Sequence, residues 1–233
     1  MNVKCLVYSW AGFNDLESTS PYCLKAIYAA RYLKIPLEIK YVNGTPSWAL
    51  RNTLPVAEVD GKKIEDSTEI LEHLNSLNGE SKLYPKDFIL DAQVWEDWAD
   101  ENLRYPLVYF RWIHELNWPD FKNSAFGSMP AAVRLTILPI IRRKIRDFLK
   151  NQGYLQRPDE DKIDSLARTI KLIDERLKKQ PFLLNTQEPT AADISVYSFI
   201  VSILSTNPPQ LQPIFTDKTG LKSWMQAMMK LVE

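Results

Sequence analysis

The sequence predicts an α/β domain over its first third, joined to an all-helical domain over the remainder. Three observations carry that expectation. Up to about Leu77, short strand-like runs take turns with helically spaced ones; beyond Asp87, every periodic stretch has helical spacing; and Asn78 to Asp87 (NGESKLYPKD) is a polar connection containing both Gly and Pro. The 233 residues can hold two domains at roughly 100–200 residues each, and 45% apolar residues are enough for a core. The expected divisions are 1–77, a connection at 78–87, and 88–233.

Lys4 to Ser9 contains the apolar run Cys-Leu-Val-Tyr, short enough for a buried strand. Cys23, Ala26, Ile27, Ala30 and Leu33 share one face of a helix. Its start is marked by Ser20, able to accept from free first-turn amides, and by Pro21, which loses no helical bond there. Leu37, Ile39 and Tyr41 alternate with Glu38 and Lys40 as a second strand. Val56 to Val59, Asp60-Gly61 and Lys62 to Glu65 read as strand, tight turn and strand. Asp66 with Glu69 resembles a capping box opening a helix with Ile70, Leu71, Leu74 and Leu77 on its apolar face. In the second part, one long helix is expected from Phe88 to about Leu116, with Trp95, Trp98, Asn102, Tyr105, Tyr109 and Trp112 as a stripe. Further helices are expected at Ala131 to Asn151, bent at Pro139, then Lys162 to Lys179, Thr190 to Leu204 and Lys218 to Leu231.

Composition excludes several kinds of chemistry. Lys+Arg and Asp+Glu each number 29, so no net charge steers the chain toward nucleic acid or anionic lipid. Cys5, Cys23, His73 and His114 are the only Cys and His residues and lack paired metal-ligand spacing, so no metal is expected. Seven glycines, with no GxGxxG or GxxxxGKS, disfavour a phosphate-cradling loop. No signal-peptide pattern or membrane-length apolar run is present, and a soluble, cytoplasmic protein is expected. The basic run Arg142, Arg143, Lys144 and Arg146 reads as a solvated helix face.

Four features then fall in a recognisable order: Ser20-Pro21-Tyr22-Cys23 opening a helix, Leu54-Pro55 before a strand, Asp66-Ser67 opening the next helix, and Pro189-Thr190-Ala191-Ala192-Asp193. Together they resemble the glutathione S-transferase superfamily, over nearly the whole chain. Within it, the stretch from Ser20 to Leu74 and the Arg-Arg-Lys helix look most like the branch of metaxins, failed-axon-connections-type proteins and their bacterial relatives. The resemblance implies a thioredoxin-like N-terminal domain, an all-α C-terminal domain, a homodimer, and glutathione as substrate for attack on a small apolar electrophile.

The resemblance also assigns roles. Ser20 stands where glutaredoxins have a first cysteine; a hydroxyl there can donate to a bound glutathione thiolate and lower its pKa. A plain N-cap is a compatible reading of the same residue. Tyr8 is the rival hydroxyl, since tyrosine-type members carry theirs at the end of the first strand. Cys23 is read as a small buried residue. Pro55 matches the family's cis-proline, leaving the Leu54 backbone to pair with the cysteinyl part of glutathione. Asp66 and Ser67 match the pair receiving the γ-glutamyl end, and Trp48 and Arg51 stand where they could reach the glycyl carboxylate. Asn102, Tyr105 and Tyr109 are candidates for the acceptor pocket, and Thr190 to Asp193 is a folding motif. A non-catalytic adaptor on the same fold is the alternative to a transferase.

Overall fold

The computed structural model describes residues 4–79 and 81–232, without the side chain of Asn78. Expectations placed on Met1 to Val3, on Glu80 in the connection and on Glu233 lie outside the described residues.

The first part is a β-α-β unit followed by a hairpin and a helix: β1 (Cys5–Ser9), α1 (Pro21–Tyr32), β2 (Leu37–Tyr41), β3 (Val56–Val59), β4 (Lys62–Glu65) and α2 (Ser67–Asn78). The sheet order is β2-β1-β3-β4, with β1 parallel to β2 and the other pairs antiparallel. Asp60 and Gly61 both take positive φ, 49° and 79°, the left-handed pair that a two-residue hairpin needs. Cys5, Val7 and Ser9 are buried, and the intervening Leu6 and Tyr8 are only partly covered, as strand alternation requires. Register decides where the helix starts meet. Tyr8 pairs with Val56, and Val56 with Glu65, so the end of β1, the start of β3 and the end of β4 lie side by side.

Everything beyond Asp87 is helical, giving the thioredoxin-like and all-helical pair of domains. The stretch joining them is no solvated tether. Leu83 and Tyr84 are buried, Leu83 N donates to Asn75 Oδ1, and Ala191 N donates to Leu83 O.

The long helix expected from Phe88 is interrupted. α3 (Ile89–Asn102) gives way to α4 (Arg104–Val108) and then to a π-type turn at Tyr109–Ile113, where His114 N reaches back five residues to Tyr109 O. Pro106 has no amide to give to the carbonyl of Asn102, which weakens the helix there. α5 (Trp118–Phe126) is too short to have shown a periodic stripe, and it was not anticipated. α6 (Ala131–Asn151) runs through Pro139, and α7 (Asp159–Leu177), α8 (Ala191–Leu204), α9 (Gln212–Phe215) and α10 (Thr219–Val232) complete the domain.

α8 is the core of this half and is buried along most of its length. Its start is fixed by Asp193, whose carboxylate accepts from Thr190 N and Thr190 Oγ1 at 3.0 Å and from Leu183 N and Trp224 Nε1 at 2.9 Å. Four donors compensate a buried charge that would otherwise be costly. The basic run departs from its expected role at one residue. Arg142 is not merely solvated: it donates to Trp112 O, Ile113 O and Glu115, and lies 4.9 Å over the Trp118 ring.

Candidate functional site

The register described above gathers three of the four sequence features at one end of the sheet. The loop after β1 leads to Ser20 and α1, Leu54 and Pro55 lead into β3, and Asp66 and Ser67 lead from β4 into α2. The Leu54-Pro55 peptide bond is cis, as the motif implied. The Leu54 side chain is buried in a small cluster with Cys23, Ala49 and Val56. Its backbone amide and carbonyl have no hydrogen-bond partner among the described residues.

Ser20 occupies the N-cap position of α1 with extended dihedrals, but its side chain makes no capping bond. The expected bond from Ser20 Oγ to first-turn amides is therefore absent, and the amides of Tyr22 and Cys23 have no acceptor among the described residues. Ser20 is 8% exposed, and its own amide donates to Ser18 Oγ at 3.1 Å. Ser9 Oγ in turn donates to Ser18 Oγ at 2.9 Å, which locks the buried Ser18 inside the loop. Gly12 is obligatory in this loop, because a Cβ there would stand 1.7 Å from Leu16 O.

Cys23 is fully buried. Burial pushes its thiol up, and hydrogen bonds with Ser9, Ser20 and Ser18 offset this only in part, so it stays protonated and unreactive at neutral pH.

Tyr8 borders the same small cluster, packing partly buried against Cys23, Ala49, Leu54 and Val56. Its side chain leaves the sheet on the face opposite Ser9, its hydroxyl donates to Glu58 Oε1 at 3.0 Å, and its ring packs 4.8 Å from Trp48. Partial burial and the Glu58 carboxylate both push its pKa up. Strand alternation sets Tyr8 and Ser9 on opposite faces of β1, and the Tyr8 hydroxyl is engaged by Glu58.

Asp66 caps α2 differently from the box expected with Glu69. Its Oδ1 accepts from Thr68 N at 2.9 Å, its Oδ2 accepts from Arg51 Nη1 at 2.8 Å, and its backbone takes φ 98°. A non-glycine residue at positive φ costs on the order of 1–3 kcal/mol and clusters at ligand sites. Ser67, 5% exposed at the first position of α2, makes no hydrogen bond through its hydroxyl to another described residue. Arg51 thus reaches the site, while Trp48 is 46% exposed and gives its carbonyl to Lys63.

The acceptor-pocket candidates have their hydrogen bonds and ring contacts within the helical domain. Asn102 turns its amide back onto Trp98 O of its own helix at 2.9 Å. Tyr105 stacks on Phe148 and Tyr154 and hydrogen-bonds Gln152. Tyr109 is buried, with its hydroxyl on Asp159 at 2.5 Å and Lys162 Nζ 4.2 Å over its ring. None of these hydrogen bonds or ring contacts involves the loop or α1. On α3 it is Glu96 and Asp100 that reach the first domain, through Lys25.

Two features of the site's surroundings escaped the sequence reading. Lys25, on α1, is fully buried and reaches both Glu96 and Asp100 at 2.8 Å. Glu96 also accepts from Thr68 Oγ1 and Tyr84 Oη. Burial alone would lower Lys25, but the two carboxylates hold it above its ordinary value; burial raises Asp100 to about 6 against the pull of Lys25. The second feature is Arg111 in the π-type turn, 3% exposed, donating to Thr19 O at 2.7 Å, Ser202 O at 2.6 Å and Ser205 Oγ at 2.9 Å. Both were visible in principle as single charges within apolar runs, Cys-Leu-Lys-Ala-Ile and Tyr-Phe-Arg-Trp-Ile.

Among the described residues, no group of three or more His, Cys, Asp or Glu is placed to hold a metal ion, and no helix is long and apolar enough to cross a membrane.

A two-layer unit that gathers two helix starts around a cis-proline, backed by a helical domain, is the architecture of a thiol-ligand transferase fold. The family described as Glutathione S-transferase N-terminal domain matches residues 21–117, and that described as Glutathione S-transferase, C-terminal domain matches 166–228. Between them they span well over half of the chain, which belongs to the glutathione S-transferase superfamily. No curated protein matches it in sequence.

Solved structures share the fold at low identity. A glutathione S-transferase of Ceriporiopsis subvermispora in complex with glutathione is 14% identical, with TM-score 0.69 and 97% of each chain covered. A glutathione transferase from Burkholderia graminis, with two glutathione molecules bound per subunit, is 16% identical, with TM-score 0.63 and coverage of 98% of this chain and 87% of that one. The beta-etherase LigF from Sphingobium sp. strain SYK-6 is 19% identical, with TM-score 0.63 and coverage of 99% and 98%.

Proposed function

We propose that the chain binds glutathione at the ends of β1, β3 and β4 and conjugates its thiolate to a small apolar electrophile. The observation that carries this reading is the set of backbone and hydroxyl groups left without internal partners there: the first-turn amides of α1, the backbone of Leu54 and the hydroxyl of Ser67. Each suits one part of the tripeptide. The cysteinyl unit pairs with the Leu54 backbone beside Pro55. The γ-glutamyl carboxylate sits at the start of α2 with Ser67, and its ammonium meets Asp66. Arg51, already at Asp66, is within reach of a carboxylate.

The thiol lies at the start of α1. Ser20 Oγ donates to the sulfur, and the open amides and helix dipole add positive potential, so the thiol loses its proton to solvent on binding. The thiolate then forms the C–S bond as the electrophile's leaving group departs with its electron pair. The protein supplies proximity and a lowered thiol pKa. In this reading the protein works as a cytoplasmic homodimer.

A titration of glutathione by calorimetry, followed by a conjugation assay of wild type, Ser20→Ala and Tyr8→Phe, tests it. Expected is millimolar or tighter binding, with kcat/KM reduced about 10²-fold in Ser20→Ala and unchanged in Tyr8→Phe. Absence of binding at millimolar glutathione overturns the reading.

A second reading has one observation in its favour: the Asn102 amide, Tyr105 and Tyr109 all have partners within the helical domain, on Trp98, Gln152 and Asp159. Binding without conjugation by the wild type would support this adaptor reading, which accords with the metaxin-like resemblance.

A further inference from the structure

Arg111 is a full positive charge held inside the protein with no carboxylate partner among the described residues. Its guanidinium is met by the carbonyls of Thr19 and Ser202 and the hydroxyl of Ser205, its Nε has no partner, and the rings of Phe13 and Phe121 lie 5.1 and 5.5 Å away. Burial brings it down to about 9, so it remains a cation at neutral pH. Ser202 and Ser205 belong to the C-terminal end of α8, whose partial negative charge offsets only part of a unit charge. A buried cation with that little compensation is costly, and partnering it with an anion relieves the cost.

The location gives this a purpose. Thr19, whose carbonyl takes the Arg111 bond to the first domain, immediately precedes Ser20. We propose that Arg111 is a positioning and electrostatic residue for the thiolate at Ser20, the bound sulfur being the anion that its charge lacks. This rests on the reading of the Ser20 site as a glutathione site. Arg111 fixes the Thr19 carbonyl, and with it the approach to α1, and adds its field to that of the open helix start.

Of the other charged groups around the loop and α1, Arg104 is paired with Glu101 and Asp100 with Lys25 where they face Tyr22, and Asp15 is exposed. Glu17 in the loop is paired with Arg31, and His114 faces Asp159. Tyr22 and Cys23 on α1 are both pushed up by burial and stay protonated.

The experiment measures the pKa of bound glutathione from the ultraviolet absorbance of its thiolate, in wild type, Arg111→Gln and Arg111→Lys, together with the affinity for S-methylglutathione. An opposite charge close by lowers an acid by ~1–3 units, and with Arg111 one residue removed the expected loss in Arg111→Gln is about one unit. That is a roughly tenfold fall in thiolate at pH values below the pKa. Arg111→Lys is expected to keep the wild-type value, and S-methylglutathione, which has no thiol to ionise, to bind all three alike. Should Arg111→Gln fail to fold, Ser205→Asp serves instead, because it supplies the missing carboxylate next to an intact guanidinium and is expected to raise the bound thiol in the same direction. A bound-thiol pKa equal to wild type in whichever of these variants folds overturns the assignment while leaving glutathione binding intact. Absence of glutathione binding by the wild type overturns it together with the reading it rests on.

Discussion

Lys25 and Arg111 are both buried cations that tie the first domain to the helices, and they are provided for in opposite ways. Lys25 has two carboxylates at 2.8 Å, and one of these, Glu96, is itself held by Thr68 and Tyr84. Arg111 has two carbonyls and a hydroxyl. The first arrangement is electrically complete and has nothing to offer a ligand. The second leaves positive potential beside Ser20. A buried charge closed by its partners is an architectural device, whereas one left partly open points toward what binds next to it.

The comparison can be broken most directly at Lys25. Lys25→Met strands Glu96 and Asp100 in the interior, and urea unfolding is expected to show a loss of about 3–5 kcal/mol. Arg111→Gln leaves only neutral groups behind, two carbonyls and the Ser205 hydroxyl, so its loss in the same measurement is expected to be smaller, about 1–3 kcal/mol. If Arg111→Gln proves the more damaging of the two, the contrast between a closed and an open charge fails.

Asp100 sharpens the picture through pH. Its pKa lies at about 6 in the folded protein against an ordinary 3.8, so between those values the folded state holds the proton more tightly. Its contribution therefore favours the folded state in acid and is lost as pH rises through about 4 to 6. In Asp100→Asn, stability measured across that interval is expected to lose this downward slope. A slope unchanged by the substitution would mean that Asp100 is not the group that titrates there.

Local pattern made much of this molecule legible. The hairpin came from Asp60-Gly61, the first helix from Ser20-Pro21, and the buried α8 from Thr190 to Asp193, because in each case residues close in sequence decide a turn or a helix start. The site followed the same logic, since its parts are element ends. What could not be read was orientation. The aromatic stripe from Trp95 to Trp112 is regular, but spacing shows that residues share a face and not which neighbour the face meets; here it is Glu96 and Asp100, outside that stripe, that reach α1. The Glu58 partner of Tyr8 was hidden for a related reason: alternation places Tyr8 on a face, and only the pairing of β1 with β3 shows which side chains share it. Lys25 and Arg111 depend on partners 71 and 92 residues away, beyond the reach of any local rule.

The Glu96 carboxylate has one consequence for how the protein is made. Lys25 on α1, Thr68 on α2 and Tyr84 in the connection all converge on it, although it belongs to α3. On a ribosome, where the N-terminus emerges first, the lysine at the heart of the first domain exists well before the carboxylates that receive it. Its interior cannot close until α3 has appeared. The sheet and its two helices are a unit of architecture, but the smallest length of chain able to finish them extends past residue 100.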